Sequence, residues 1–450
     1  MEQSSLIKPF LGGAYPTISH GKGVFLYDKE GKDYLDASSG AVTSNIGHGV
    51  QEITDAMAQQ ANQISFVYRS QFTSEAAEKL AKKIADLTKG ELFYSFFVNS
   101  GSEATETALK IAIQHWQERG QPKKQKIISR WMSYHGITMG ALSMSGHPLR
   151  RERFTAILES YPSVAPPYCY RCPYNLDQRT CGMACALELE ASIRRIGADN
   201  IAAFIVEPVI GAAGAAIIPP DGYYQKLKAI CEEHDILFIA DEVMTGFGRT
   251  GKMLASEHWG VEPDIVTFGK GISGGYTPIA ATVMTKKVLE PILNGSRSIM
   301  GGHTLSANPL SCAIALAVLK YIEENDVVER SAKRGKDLIN GLKEIARKYA
   351  FIGDLRGSGL LIGMEFVQDK ETKTPFPKTM DVTNEIIKAG MENGIILYPA
   401  AAGLDGINGA AIIISPPLTI SKDECTELLR RLDATLLQFK KQILPGSLSS

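Results

Sequence analysis

The sequence predicts an α/β protein built on a mostly parallel sheet, and three observations carry that expectation. Through the middle of the chain, short apolar runs alternate with longer stretches of helical periodicity, the pattern of parallel strands joined by crossover helices. Runs such as residues 236–240 (ILFIA) and 264–268 (DIVTF) are apolar almost throughout, as strands covered on both faces are. Nearly every run stops at polar or ionisable residues, and in a parallel sheet those ends share the edge at which ligands bind.

The elements follow in order. Residues 23–28 and 34–36 read as two short strands around the turn Glu30-Gly31-Lys32. The glycine-bounded loop over 40–49 holds His48, and both a close approach to ligand and a plain connection fit it. Helices are expected over 51–63 and 74–88, the second opening at Thr73 or Ser74 with Glu75 and Glu78 in its first turn. The strand 91–98 ends in Asn99-Ser100-Gly101-Ser102, ahead of a helix over 103–117. Hydroxyls, free N–H groups and the positive end of the helix dipole make this junction a phosphate site, with Ser102 as an ordinary N-cap the alternative. Strand 126–129 leads to Tyr134-His135-Gly136, whose aromatic face either stacks on a planar ring or belongs to the core. Strand 201–206 ends in Glu207-Pro208 and the loop 209–214, a helix covers about 223–234, and 279–284 is strand-like. The polar loop 301–309 precedes a helix over 310–325. A second helix near 331–349, strand 360–366, helix 381–393, strands 395–397 and 412–414 and helix 421–442 form a smaller α+β region. The closing LPGSLSS reads as a frayed tail.

Composition narrows the function class. With 450 residues the chain has room for about two or three domains. The 48 Lys+Arg against 49 Asp+Glu leave no global field to recruit nucleic acid or an anionic membrane, so the expected partner is a small molecule. The start MEQSSLIKPFLGG lacks a basic region followed by an apolar one, and no stretch reaches about 18 uninterrupted apolar residues, which points to a cytoplasmic protein with no membrane contact. Seven cysteines are too few for a disulfide scaffold at this length and suit a reducing compartment.

The chemistry is concentrated in residues 236–275. Asp241 closes one apolar strand, and Lys270 stands two residues beyond another. A lysine near apolar walls loses its proton readily and becomes a Schiff-base nucleophile, while a carboxylate behind a heteroaromatic ring keeps the ring nitrogen protonated. Taken singly, each is more simply a surface lysine or a capping aspartate. Together, at the edge where the other strand ends gather, they suggest pyridoxal phosphate.

IADEVMTGFGRTGKM and PDIVTFGKGISGGYTPIAA, with NSGSEATETALK, SYHG, VEPV, GGHTLSANPL, SPPLTI and DKEGKDYLD, resemble the class III aminotransferases, pyridoxal-phosphate enzymes of fold type I. The resemblance covers essentially the whole chain with the motifs in the family's order. It implies a large cofactor-binding domain over 66–318 and a smaller α+β domain built from both chain ends, 1–65 and 319–450. By matched position, Lys270 would carry pyridoxal 5'-phosphate as a Schiff base and shuttle the proton, and Asp241 would pair with the pyridinium nitrogen. Val243 would pack on one ring face and Tyr134 on the other, with His135 beside it. Ser100, Gly101 and Ser102 would supply the phosphate cup at the helix start, and Glu207 the acid near the cofactor's hydroxyl. Thr304 would reach the phosphate of a partner subunit, implying a homodimer with shared sites. The implied reaction moves an amino group from an ω-amino acid or primary amine to pyruvate or 2-oxoglutarate, ping-pong through pyridoxamine phosphate. The alternative is another outcome on the same cofactor: an aminomutase, a racemase or a decarboxylating aminotransferase.

Three departures stand out. Many ω-amine members carry a mobile arginine before SPPL, but residues 396–406 (ILYPAAAGLDG) contain none, which leaves Arg69, Arg150, Arg151 and Arg153 as candidates for the substrate carboxylate, each equally readable as a solvated surface residue. Where the family often places an aromatic at the pocket, Val42 stands, and a roomier pocket follows. Cys169, Cys172, Cys181 and Cys185 have a spacing that zinc could use but that is tight for a zinc ribbon; no metal is assigned, a structural metal or a disulfide stays open, and ordinary thiols in an inserted surface loop are the simpler reading. Arg249 reads as structural or interfacial rather than catalytic.

Overall fold

The computed structural model describes residues 5–11, 13, 15–88 and 92–443. The expected strand start at Glu91 and the tail 444–450 lie outside the described residues. The central sheet has seven strands in the order Leu92–Val98, Ala280–Thr285, Ile265–Phe268, Leu237–Asp241, Ile201–Val206, Lys126–Arg130 and Ser163–Val164. From Ile265–Phe268 to Ser163–Val164 every neighbouring pair is parallel. Ala280–Thr285 runs antiparallel to both of its neighbours. The connection between Phe268 and Ala280 holds only the short turn Lys270–Ile272, too little chain for the crossover that a parallel return needs.

Both faces of this sheet are covered, which is why its strands read as continuous apolar runs. Phe204, Val206 and Phe238 pack with Leu189, Tyr223 and Leu227 of the helices Ala184–Ile196 and Tyr223–Glu233. Ala203, Ile205 and Ile239 point the other way, onto Ala104, Ala108 and Ile111 of the helix Gly101–Glu118. Trp116 on that helix donates its ring N–H to the Ala202 carbonyl at 2.7 Å, fixing the helix along the sheet.

The two chain ends meet: Asp33–Asp36, in the meander that starts at Ile18–Lys22, pairs in parallel with Ile395–Ile396. A separate antiparallel sheet has the order Ile352–Ser358, Leu361–Phe366, Ala410–Ile414 and Tyr398–Ala400. Four strands escape the sequence reading: Ile18–Lys22 (ISHGK), Ser163–Val164, Ile352–Ser358 (IGDLRGS) and Tyr398–Ala400. Each is short, edge-placed or polar, so pairing rather than periodicity makes it a strand.

Arg249 ties these parts together. Fully buried, its guanidinium donates to the carbonyls of Leu360 and Pro416 at 3.1 and 2.6 Å, to Ser39 Oγ at 3.1 Å and to Asn45 Oδ1 at 2.7 Å. Among the described residues no helix is long and apolar enough to cross a membrane.

Candidate active site

A cavity of about 190 Å3 lies at the carboxyl edge of the parallel strands, lined by Gly101, Ser102, Tyr134, His135, Glu207, Asp241, Val243 and Lys270 among others. Eight residues singled out in the sequence, scattered from 101 to 270, therefore surround one space. Parallel strands explain the convergence, since each delivers its C-terminal residue to the same edge.

Lys270 follows the strand Ile265–Phe268 with φ at +44°, a left-handed conformation that side-chain-bearing residues seldom hold without support. Among the described residues its amine has no hydrogen-bond or ion-pair partner. Burial pushes that amine down to about 8; Asp241 and Glu207 attract its proton, while Arg150 and Arg249 repel it. Asp241 ends Leu237–Asp241 and is 4% exposed. Its Oδ1 accepts from Val243 N and Thr267 Oγ1, both at 3.1 Å, and its Oδ2 accepts from His135 Nδ1 at 2.7 Å. Because a carboxylate only accepts, the His135 proton sits on Nδ1, and Nε2 is left buried without a partner.

Glu207 ends Ile201–Val206, and two backbone groups hold it: Tyr134 N–H donates to Oε1 and Gly211 N–H to Oε2, each at 2.9 Å. Burial raises its carboxyl and Asp241 adds to that, while His135 and the two N–H groups oppose the rise.

At the other end the helix Gly101–Glu118 opens into the cavity. Its N-cap is Ser100, whose hydroxyl accepts from Glu103 N–H at 3.2 Å. The helix thus starts two residues before the expected 103, and Ser102 is not the cap. Ser102 Oγ instead accepts from Ile137 N–H at 3.0 Å, tying the helix start to the Tyr134 loop. The first-turn N–H groups of Gly101 and Ser102 have no intrahelical acceptor. Glycine is needed where these segments touch: a Cβ on Gly101 would lie 2.8 Å from Val243 Cγ1, and one on Gly136, at φ +138°, would lie 2.5 Å from Ser102 Oγ.

Two expected site residues stand apart from the cavity. Ser100 is spent on the cap and is not a lining residue, and Thr304 is exposed on the 301–308 loop away from this chain's own cavity. Val42 is fully buried, at φ +59°, in the core cluster that includes Met244 and Ala400 rather than at the cavity wall. Met244 and Ala212 line the cavity without having been anticipated, and nothing in their apolar side chains signals it.

The candidate arginines separate clearly. Arg69 donates to the Gly301 carbonyl at 2.6 Å and lies over Phe96. Arg151 is held by the carbonyls of Leu142, Ser143 and Ser145, and Arg153 is exposed outside the cavity wall. Arg150 is exposed and also outside that lining, but of the four it alone touches a lining residue, its guanidinium carbon 4.4 Å from the centroid of the Tyr134 ring.

Cys169, Cys172, Cys181 and Cys185 line one small recess, all as free thiols. Among the described residues no group of three or more His, Cys, Asp or Glu side chains is placed to hold a metal ion. Their loop is anchored instead by buried Glu365, which accepts from Tyr168, from Arg171 Nε at 2.7 Å and from Arg356 Nη1 at 3.0 Å.

These residues fit pyridoxal phosphate: a lysine with a readily lost proton, a buried carboxylate opposite, an orphan imidazole nitrogen, and a helix start stripped of side chains at its closest contact. Fold and site together define a fold type I pyridoxal-phosphate enzyme. Residues 13–436 match the aminotransferase class-III family. The chain is 51% identical to the uncharacterized aminotransferase YodT of Bacillus subtilis, over 98% of this chain and 99% of the relative. It is 34% identical to the putrescine–pyruvate aminotransferase of Pseudomonas aeruginosa, over 92% and 88%. Among solved structures, the amine transaminase of an uncultivated Pseudomonas species in its PLP-bound form superposes with a TM-score of 0.91 at 34% identity, over 97% of this chain and 99% of that one. The chain belongs to the class III aminotransferases, enzymes whose cofactor is pyridoxal 5'-phosphate.

Proposed function

We propose that this aminotransferase takes its amino group from an ω-amino acid or primary amine and delivers it to pyruvate or 2-oxoglutarate, in two successive half-reactions. The observation that carries the reading is the Lys270 amine, lowered to about 8 and unpartnered among the described residues, lining one cavity with the buried Asp241–His135 pair. Pyridoxal phosphate, when bound, supplies an electron sink for the carbon next to the transferred nitrogen.

The remaining work belongs to the chain. Lys270 would hold the cofactor through its amine until the donor's amino group displaces it, and the freed neutral amine would then carry the proton taken from the donor carbon. Asp241 would hold a negative charge behind the ring, and its orientation is fixed by Thr267, Val243 N–H and His135. The N–H groups of Gly101 and Ser102 would hold the phosphate at the positive end of the helix, and Val243 and Tyr134 would hold the ring between them. Glu207 keeps the Tyr134 loop in place through its N–H and borders the hydroxyl side.

Residues 66–318 act as the cofactor-binding unit, with 1–65 and 319–450 as the smaller unit beside it, and the protein works as a homodimer in which Thr304 reaches the partner's phosphate. The exposure of Thr304 and its absence from its own chain's cavity support that arrangement. The names of two similar proteins, a putrescine–pyruvate aminotransferase and an amine transaminase, support an amine donor.

The test is a donor panel of β-alanine, 4-aminobutyrate, taurine, diamines and 1-phenylethylamine, each with pyruvate and with 2-oxoglutarate. Amino-group transfer from at least one of these donors is expected. Loss of CO2 from the donor during transfer, or a change only in chirality or amine position with no oxo acid present, would assign a decarboxylating aminotransferase, racemase or aminomutase instead.

A further inference from the structure

Beside the cofactor cavity lies a second, larger cavity of about 550 Å3, lined by His147, Arg150, Lys378, Asp381, Pro399 and Ile407 among others. Ala212 lines both cavities, so the two adjoin. Tyr134 of the first is flanked by His147 and Arg150 of the second: the His147 ring meets it edge-on at 6.2 Å, and the Arg150 guanidinium lies over its face. The field of Arg150 acts on Lys270, on Tyr398 and on His147, so this charge lies close to both cavities.

The charges around Arg150 leave it unanswered. Glu207 is committed to the N–H groups of Tyr134 and Gly211. Asp381 is committed to the Asn384 side-chain amide, with both oxygens at 2.9 Å from its nitrogen. His147 is pushed down to about 4 by burial and by Arg150, so it is neutral at working pH and adds no positive charge of its own. Lys378 adds a second cation to the same wall. An arginine fork resting on an aromatic face with no carboxylate of its own is arranged to receive one from outside.

We propose that Arg150 receives the substrate carboxylate and that the 550 Å3 cavity houses the carbon chain of an amino-acid donor. Arg150 stands in for the arginine missing from residues 396–406, a segment that lines the same cavity through Pro399, Ala400 and Ala401. This assignment rests on the donor class proposed above and narrows it to carboxylate-bearing amines.

The experiment compares matched donors on the pyridoxal-phosphate-loaded enzyme. β-Alanine, 4-aminobutyrate and 5-aminopentanoate are each set against the alkylamine in which methyl replaces the carboxylate. Wild type should prefer at least one amino acid over its alkylamine. In Arg150→Met, which keeps the stem and removes the charge, kcat/KM for that amino acid should fall at least roughly tenfold more than for the alkylamine, chiefly through KM. Arg150→Lys should recover part of the difference. Butyrate, a carboxylate with no amine, should inhibit alkylamine turnover by wild type and do so roughly tenfold more weakly in Arg150→Met. Equal losses for both donors would show that Arg150 only braces Tyr134, and wild type that shows no preference for any carboxylated donor would also overturn the assignment. Absence of transfer from every donor would instead overturn the proposed function itself.

Discussion

The titration of Lys270 offers the sharpest quantitative check on the site. A lysine in water titrates near 10.5, and here burial brings the amine to about 8. At about pH 7.5 the neutral fraction rises from roughly one in a thousand to roughly a quarter, a gain of more than two orders of magnitude in usable amine. The perturbation is Asp241→Asn. Asp241 attracts the Lys270 proton, so removing its charge should carry the amine below about 8 and enlarge the neutral fraction further. The assay uses apoenzyme, trace acylating reagent and peptide mass spectrometry, following Lys270 against the other lysines from neutral to alkaline pH. Lys270 should label with a midpoint near 8 in wild type and lower in Asp241→Asn. The linkage has a definite sign: between about 8 and 10.5 the unfolded chain holds the Lys270 proton and the folded one does not, so this group's contribution to apoenzyme stability rises with pH through that window. A midpoint near 10.5, or an upward shift in Asp241→Asn, would refute the electrostatic argument.

Other consequences are as direct. Gly136→Ala places a methyl 2.5 Å from Ser102 Oγ and 2.7 Å from Ala141 Cβ at φ +138°, and should weaken pyridoxal-phosphate binding at least roughly tenfold and cost about 1–3 kcal/mol, read by cofactor titration and denaturant melts. Arg249→Met strips four hydrogen bonds from a buried junction and should cost about 3 kcal/mol or more in denaturant unfolding. Mixing inactive Lys270→Ala subunits with Thr304→Ala subunits should restore one complete site per hybrid dimer and recover cofactor affinity at that site; no recovery on subunit exchange would remove Thr304 from the partner's site.

Much of this was legible because the informative residues sit at strand ends. The runs before Glu207, Asp241 and Lys270 are apolar on both faces, so their lengths and their polar stops mark where the sheet edge lies. What the sequence could not convey is how side chains are spent. Ser100 and Ser102 look interchangeable in SGS, yet one caps the helix and the other ties down the Tyr134 loop, a distinction that depends on where Ile137 N–H arrives. Arg150 and Arg151 are adjacent and chemically identical, but the short helix Pro148–Arg151 turns one into three backbone carbonyls and the other over Tyr134. The polar strands Ile18–Lys22 and Ile352–Ser358 carry no apolar period because their neighbours alone define them.

The most direct test of the central claim is to reduce the pyridoxal-phosphate-loaded enzyme with borohydride and map the modified peptide. A single phosphopyridoxyl group on Lys270 is expected, with neither label nor transamination in Lys270→Ala. A label on any other lysine, or a Lys270→Ala variant that transaminates at the wild-type rate, would contradict it.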